Sequence, residues 1–482
     1  MLSNTRIVSQ NPWWTATDWE RGDPHLLDLD QAPMQLPAPG FVDEIPLGEP
    51  AIHVVRGPRQ VGKSTGLKLL VRRAIEHEGL DRRSVVYLAL DLLADQPIAE
   101  LAATVARARD LADPLGQAVL LLDEVTAVPR WAEAIKALWD DGTLRRDTIV
   151  CTGSSASALA RAATERLPGR RGRGEDYLVL PCSFASFATA VDPEIDGSPE
   201  MALSDIFSER GGRALRRARV LQPRLDRALE RYLRFGGFPA AVREAVVGAR
   251  EPSKQTRRVV WDSLEREVLG PGASRAALAT LLERIARSLS AKTNWSTLAR
   301  EMDVPLGSRK RHSEYRSVKQ YVELLACGYG LLVLYFWKSG SDSNDLSRDK
   351  KVYFGDPLIY TVARDQAPGL RFDVPAAVEN AMALALWRRY EPLSTQAEGF
   401  ASPSRLHAWE TRRPREIDFV CGPRSQVEMV EVKYQAHVGP ADTLVMRASF
   451  PGRPAVLVTR DVLRLEPEQA FVPASLMLWA LG

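Results

Sequence analysis

A glycine-rich segment, GPRQVGKST, has the residue types and spacing of a phosphate-binding loop. It fits the pattern GxxxxGK[ST], with its glycines at Gly57 and Gly62. These glycines let backbone N–H groups surround a phosphate, and we expect Lys63 to reach the β- and γ-phosphates of a nucleotide. Ser64 is the expected ligand of Mg²⁺, and Thr65 completes the pattern. The segment therefore predicts a site for ATP and Mg²⁺.

An apolar run that ends in two acidic residues offers the second half of such a site. Residues 120–122 are leucines, and Asp123 and Glu124 follow them. Asp123 is then expected at the carboxyl end of a buried strand, where Mg²⁺ sits, and Glu124 can polarise the attacking water. The alternative is an ordinary strand that meets its loop, but the position downstream of the glycine-rich segment favours ATP hydrolysis.

Two further segments are candidates for contacts with the γ-phosphate. Ser154 lies in TGSS, directly after an apolar run, and could contact the γ-phosphate or orient the water; the alternative is a plain β-turn. Arg170 lies in the basic loop LPGRRGR and could act as an arginine finger on its own nucleotide or on that of a neighbouring copy in a homo-oligomer. The alternative for Arg170 is a solvated loop.

A second group of charged residues lies near the C-terminus. Glu431 and Lys433 are two residues apart in the apolar run VEMVEVKY, so their side chains share one face of a strand. Asp418 lies in the preceding predicted strand and could share Mg²⁺ or Mn²⁺ with Glu431, while Lys433 positions or activates water for phosphodiester hydrolysis. Gln435 is in line with Lys433 as an accessory polar group. The alternative is a hairpin with exposed ion pairs.

Composition narrows the class of protein. The 482 residues include 45% hydrophobic and 26% charged residues, which excludes a disordered or fibrous chain. The net charge of +3 excludes a histone-like polycation, so DNA contacts would need a local basic patch, for which residues 307–312 with Arg316 and Lys319 are candidates. Four cysteines without CxxC spacing argue against disulfides and structural zinc and fit the cytoplasm. No apolar run reaches the ~18 residues that span a bilayer, so we expect no membrane segment.

The chain alternates short apolar runs with helical stretches between residues 51 and 180, which predicts a parallel sheet in an α/β fold. Residues 1–50 show no sustained period and are predicted to form an extended leader. Residues 295–327 have helix-turn-helix spacing, and the β-rich run GLLVLYFW follows as a wing. In the C-terminal part of the chain, the pattern predicts a helix over 376–389 and strands at 416–420, 427–434 and 455–459.

The order of several motifs resembles that of a known family. GPRQVGKST, LLLDEVTAVPRWAEAIKALWDDG, TGSS, the LPGR loop, PCSFASF, YLRFGGFP and KVYFGDPLIY follow one another as in a group of prokaryotic AAA-type P-loop ATPases with a C-terminal domain of unknown function. The resemblance implies an AAA-type core over 51–195, a helical lid over 196–254, a winged helix over 255–364 and an α/β domain similar to PD-(D/E)xK nucleases over 365–482.

The resemblance also implies a role for Glu379, which would supply the extra metal-binding carboxylate that such nuclease cores carry on a helix. The chain departs from the fuller pattern at Ile417, where the proline of the motif would stand. The resulting hypothesis is an ATP-hydrolysing protein that acts on DNA, with a Mg²⁺- or Mn²⁺-dependent nuclease-like domain, in DNA processing or in defence against foreign DNA. The alternative is a nucleotide-controlled switch whose C-terminal domain binds partners without cleaving.

Overall fold

The computed structural model describes residues 2–34, 36–94, 96–112, 116–153, 159, 172–195, 197–268, 274–302, 311–337, 344, 349–391, 400, 403–411, 415–435 and 437–482. The chain divides into two compact units. Unit 1 comprises Met1–Pro33 and Pro37–Leu180, and unit 2 comprises Met34–Leu36 and Pro181–Gly482.

Unit 1 is built on a five-stranded parallel sheet. Its strands are β1 (Ala51–Arg56), β2 (Val85–Ala89), β3 (Val119–Asp123), β4 (Thr148–Thr152) and β5 (Asp176–Leu178). They lie in the order β2-β3-β4-β1-β5, and each neighbouring pair is parallel. Every residue of β1, β3 and β4 is buried, as expected for continuous apolar runs in a sheet that is covered on both faces. The predicted parallel sheet is confirmed.

Helices connect these strands and cover the sheet. They are α4 (Lys63–Glu76), α5 (Ile98–Ala112) and α6 (Trp131–Asp140). Because all strands run the same way, the loop after β1, Asp123 at the end of β3 and Thr152 at the end of β4 meet at one edge of the sheet.

The prediction of an extended N-terminal leader is wrong. This part of unit 1 forms α1 (Asn4–Gln10), α2 (Pro24–Asp30) and α3 (Phe41–Glu44) with two short 3₁₀ turns. Trp13 is fully buried, and the indole N–H groups of Trp13 and Trp14 both donate to the carbonyl of Val85, 2.9 Å away. The segment covers β2, the edge strand, whose unpaired backbone groups need partners.

Unit 2 begins with a group of helices around α9. They are α7 (Phe184–Val191), α8 (Glu209–Ala218), α9 (Gln222–Phe235), α10 (Pro239–Val246) and α11 (Lys254–Val268). Leu225, Leu229 and Leu233 lie on the buried face of α9, and arginines occupy much of its other face. This amphipathic pattern fits a packed helix rather than a binding arm.

A three-stranded antiparallel sheet follows among further helices. The elements are α12 (Arg275–Arg287), β6 (Lys292–Thr293), α13 (Trp295–Glu301), α14 (Arg311–Cys327), β7 (Leu331–Tyr335), β8 (Lys350–Phe354) and α15 (Pro357–Asp365). The strand order is β6-β8-β7, and Lys292 of β6 lies opposite Lys351 of β8.

The last part of unit 2 is a six-stranded mixed sheet with helices. Its elements are α16 (Val374–Tyr390), β9 (Leu406–Glu410), β10 (Glu416–Cys421), β11 (Glu428–Lys433), α17 (Leu444–Ser449), β12 (Ala455–Thr459), β13 (Arg464–Leu465), β14 (Gln469–Pro473) and α18 (Ala474–Leu481). The order is β13-β14-β12-β11-β10-β9; β9, β10 and β11 are antiparallel, and β11, β12 and β14 are parallel. The predicted helix and its three following strands are confirmed. Among the described helices, none combines the length and apolarity required to cross a bilayer.

Candidate functional site

At two positions of the glycine-rich loop, the backbone has a conformation that only glycine adopts without strain. Gly57 has φ 146° and Gly62 has φ 97°. A Cβ atom on Gly57 would lie 1.9 Å from the carbonyl oxygen of Val179, so a side chain there has no room. Gly62 supplies no side-chain cap to the first turn of α4, and the N-terminus of a helix is suited to bind an anion.

Lys63 lies over this loop. Its side chain is buried, and its Nζ donates to the carbonyl oxygens of Gly57 and Pro58 at 2.9 and 2.7 Å. These contacts hold the ammonium group against the backbone of the glycine-rich loop. Ser64 and Thr65 follow in the first turn of α4, where the motif requires them.

Asp123 is held on both of its carboxylate oxygens. Its Oδ1 accepts from the backbone N–H of Glu124 at 3.1 Å and from the hydroxyl of Thr152. Its Oδ2 accepts from the hydroxyl of Tyr87 at 2.9 Å. Asp123 is only 3% exposed, so its orientation is set by these neutral donors. The carboxylate of Asp123 and the hydroxyl of Ser64 are both oxygen ligands of the kind that Mg²⁺ prefers.

Glu124 directly follows this carboxylate in a strained conformation. Its φ of 55° lies in the left-handed region, which is unusual for a residue with a side chain and recurs at active sites. The side chain is half-buried at the carboxyl edge of the sheet. The described residues thus bring Lys63, Asp123 and Glu124 to one edge, while Ser154 and Arg170 lie outside the described residues.

The four charged residues near the C-terminus come together on β10, β11 and α16. Asp418 Oδ2 accepts from the backbone N–H of Val432 at 2.9 Å, and Glu431 Oε2 accepts from the backbone N–H of Asp418 at 3.2 Å. Lys433 Nζ lies 3.0 Å from Glu431 Oε1. Gln435 is exposed and donates to the carbonyl of His437 at 3.2 Å, so its side chain points to the following loop.

A lysine that the sequence analysis did not single out lies at the centre of this cluster. Lys351 Nζ is 2.7 Å from Asp418 Oδ1, 3.1 Å from Glu379 Oε1 and 3.7 Å from Glu416 Oε2. The hydroxyl of Tyr353 also donates to Glu379, at 2.7 Å. The available signal was a lysine inside the buried run KVYF, because a buried ammonium requires an acidic partner.

Burial and mutual repulsion set the protonation of these groups. Burial first, and then the charge of Asp418, raises the pKa of Glu379 and that of Glu431 to about 7. Burial lowers the pKa of Lys351, but the charges of Asp418 and Glu379 outweigh it, and the pKa of Lys351 is raised above its ordinary value. Lys351 is therefore charged at every physiological pH.

The predicted divalent metal does not fit this cluster as it stands. The ammonium of Lys351 lies between Asp418 and Glu379, where a shared cation would be bound. Over the part of the chain that the structure describes, there is no group of three or more histidine, cysteine, aspartate or glutamate residues placed to hold a metal ion. Lys351 supplies the positive charge that these carboxylates need.

Comparison with known proteins agrees with the geometry of unit 1. Residues 49–188 match a family model described as an AAA domain, and residues 226–368 match one described as a domain of unknown function (DUF8612). No curated protein matches the chain. With the phosphate-binding loop and the parallel sheet, the first match defines an AAA-type P-loop ATPase domain, which binds ATP.

Several solved structures resemble the chain at low identity. The ORC2 protein of Aeropyrum pernix, in ADPNP–ADP complexes, is 15% identical over 66% of this chain and 88% of its own, with a TM-score of 0.34. The ORC1 protein of Aeropyrum pernix in complex with DNA is 12% identical over 74% and 97%, with a TM-score of 0.31. A RuvB variant of Thermotoga maritima is 12% identical over 68% and 89%, with a TM-score of 0.24.

The lysine at the centre of the carboxylate cluster generates a prediction about stability. Lys351→Met should lower the free energy of unfolding by about 3–5 kcal/mol, because it leaves buried carboxylates without a counter-ion. Urea unfolding of the full chain measures this. Lys292→Met is the matched control, because Lys292 lies opposite on β6 and pairs with Glu410 and Glu416 but is partly exposed. Its expected loss is about 1 kcal/mol or less.

A double substitution separates charge from packing in this experiment. Lys351→Met combined with Glu379→Gln should recover part of the loss, because the second change removes one of the unpaired carboxylates. Equal losses for Lys351→Met and Lys292→Met, with no recovery in the double variant, would show that the buried ammonium does not compensate the cluster.

Proposed function

We propose that the protein is a Mg²⁺-dependent ATPase of the AAA type that acts on DNA. The observation that carries this proposal is the convergence of Lys63, Asp123 and Glu124 at the carboxyl edge of one parallel sheet. Ser64 and Asp123 would hold Mg²⁺, which offsets the charge of the phosphates when it is bound. Lys63 stabilises the transferring phosphoryl group, and Glu124 orients and polarises the attacking water.

Two candidates for this reaction lie outside the described residues. Ser154 would contact the γ-phosphate or orient the water from the loop after β4. Arg170 would act as an arginine finger, on its own nucleotide or on that of a neighbouring copy. The second arrangement requires a homo-oligomer, so the proposal includes assembly of several copies.

The ATPase assignment predicts different defects for two substitutions. Lys63→Ala should abolish hydrolysis, because the transferring phosphoryl group loses a stabilising charge. Glu124→Gln should still bind ATP but turn over about 10²–10⁴-fold more slowly, because only the activation of water is lost. Phosphate release and binding of a fluorescent ATP analogue measure the two quantities. Glu124→Gln with the wild-type rate would disprove the water-activating role.

The action on DNA rests on the part of unit 2 around the three-stranded sheet. The order α12, β6, α13, α14, β7, β8 and the strand order β6-β8-β7 fit a winged helix, in which α14 would be the recognition helix. Arg309 and Lys310 lie outside the described residues and precede this helix in the sequence, and Arg311 begins it. Arginine and lysine at that position neutralise DNA phosphates.

DNA binding of this kind should depend strongly on salt. Changing Arg309, Lys310 and Arg311 together to Ala should weaken binding and reduce the slope of log K against log[salt] by up to about three counterions. Titration of a labelled duplex at several salt concentrations measures the slope. A triple Ala variant of Arg213, Arg216 and Arg217, exposed on α8, removes the same charge and should leave the slope unchanged. Equal slopes in all three proteins would contradict the assignment.

For the C-terminal α/β domain, the contacts of Lys351 favour the second hypothesis over metal-dependent cleavage. A metal-dependent nuclease requires Asp418 and Glu431 to share a divalent cation, but Lys351 already pairs with Asp418 and Glu379. The domain is then a partner-binding module whose engagement the ATP state controls. The nuclease role, with Lys433 acting on water, in DNA processing or defence, is the competing proposal.

Calorimetry with Mn²⁺ distinguishes these two roles. In protein whose ATP site is disabled by Lys63→Ala, we expect no Mn²⁺ binding at the cluster and no nicking of plasmid DNA, because the ammonium of Lys351 occupies the centre. Asp418→Ala in the same background is the control and should give the same titration. An Mn²⁺ site that Asp418→Ala removes, with nicking that Lys433→Ala abolishes, would establish the nuclease instead.

A further inference from the structure

Residues 4–30, here called the N-terminal segment, hold the backbone of one residue on the edge strand of unit 1. Asn11 Oδ1 accepts from the backbone N–H of Tyr87 at 2.6 Å, and Asn11 Nδ2 donates to the carbonyl of Tyr87 at 3.0 Å. Asn11 is fully buried. Its side chain therefore pairs with Tyr87 as a neighbouring strand would, and fixes the position of that residue along β2.

The side chain of Tyr87 reaches the ATP site. Its hydroxyl donates to Asp123 Oδ2 at 2.9 Å. In the pairing of β2 with β3, Tyr87 lies beside Leu121 and Ala89 lies beside Asp123, so Tyr87 reaches Asp123 diagonally across the two strands. A phenol is protonated near neutral pH and a carboxylate can only accept, so the hydroxyl of Tyr87 is the donor. This bond restrains the rotation of the carboxylate that would bind Mg²⁺.

A buried lysine links the same tyrosine to the N-terminal segment a second time. Lys68 lies on α4, and its Nζ is 3.6 Å from the centre of the Tyr87 ring and 3.4 Å from Asp23 Oδ2. Trp13 faces the same ammonium at 5.1 Å. Lys68 and Asp23 are both about 5% exposed. An ammonium against a ring face is attractive, and Asp23 at the start of α2 supplies its counter-ion.

Packing alone does not require a hydroxyl at Tyr87 or an ammonium at Lys68. A phenylalanine at residue 87 and a leucine at residue 68 would fill similar space without burying a hydroxyl and an ammonium, whose desolvation is costly. The polar groups form a connected path: Asp23 to Lys68, Lys68 to the ring of Tyr87, and Tyr87 to Asp123. Partners that orient a metal ligand in this way typically change metal affinity or activity by about 10–100-fold when removed.

We propose that Tyr87 is a positioning residue for Asp123, and that the N-terminal segment belongs to the ATPase site through Asn11 and Asp23. The inference rests on the proposed ATPase function and adds a part of the chain that lies outside the matched AAA domain. Loss of the phenol hydroxyl should leave the nucleotide pocket intact but allow the Asp123 carboxylate to rotate away from the Mg²⁺ position.

The test measures how Mg²⁺ promotes nucleotide binding without turnover. In the slow Glu124→Gln background, binding of a fluorescent ATP analogue is titrated with Mg²⁺, and Tyr87→Phe should raise the half-saturating Mg²⁺ concentration about tenfold. Binding of the analogue in EDTA should not change. Tyr177→Phe is the matched control, because Tyr177 is a buried tyrosine on β5 in the same unit, and it should leave both quantities unchanged.

A second variant tests the path through the N-terminal segment. Asp23→Asn keeps the shape of the side chain but removes the counter-ion of Lys68, and it should shift the Mg²⁺ dependence in the same direction by a smaller factor. Melting temperatures within a few degrees of the parent would show that neither variant acts by unfolding unit 1. In the Glu124→Gln background, a Tyr87→Phe titration that overlays that of its parent would overturn the inference.

The outcomes also separate this inference from the proposed function. If the parent protein binds no nucleotide with or without Mg²⁺, the ATPase proposal itself fails. If the parent binds nucleotide in a Mg²⁺-dependent way and only the tyrosine substitution has no effect, the ATPase proposal stands and the positioning role of Tyr87 is rejected.

Discussion

A buried carboxylate must be paired with donors or with a cation, and this requirement organises both candidate sites of the protein. Asp123 in unit 1 and Asp418 in unit 2 are each less than a tenth exposed. The donors to Asp123 are neutral: two hydroxyls and a backbone N–H. These neutral donors orient the carboxylate, which is suited to bind a cation. Asp418 accepts from an ammonium, so its charge is already offset.

This difference in partners explains why two similar clusters of charged residues favour different roles. At the edge of the parallel sheet, a carboxylate that is oriented by neutral donors suits an Mg²⁺–nucleotide complex. Beside the mixed sheet, Lys351 of β8 neutralises Asp418, the role that a divalent ion has in a nuclease core. A buried ion pair of this kind contributes little net stability, but the loss of either partner is costly. The charged residues of this cluster therefore depend on one another for stability, whether or not the domain is catalytic.

The sequence predicted much of the architecture because the relevant signals are local and periodic. The runs that became β1, β3 and β4 are mostly apolar and fully buried, and helices connect them. Three strands of the mixed sheet, β10, β11 and β12, were predicted as strands from the sequence. The N-terminal segment was predicted wrongly because it gives no periodic signal. Asn11 and the indoles of Trp13 and Trp14 bind the backbone of β2, the edge strand, through side-chain hydrogen bonds, and such bonds leave no period in the sequence.

By itself, the sequence determined the phosphate-binding loop and the identity of its lysine, because the loop is contiguous and its glycines are required by the backbone. It also determined that acidic residues end the strand at Asp123. Only the tertiary structure decided how the charges are compensated. Lys351 and Asp418 are 67 residues apart, and Tyr87 and Asp123 are 36 apart. Local periodicity records which face of an element is buried, but the partner of a buried charge depends on which strands become neighbours, and that is decided by the packing of the whole unit.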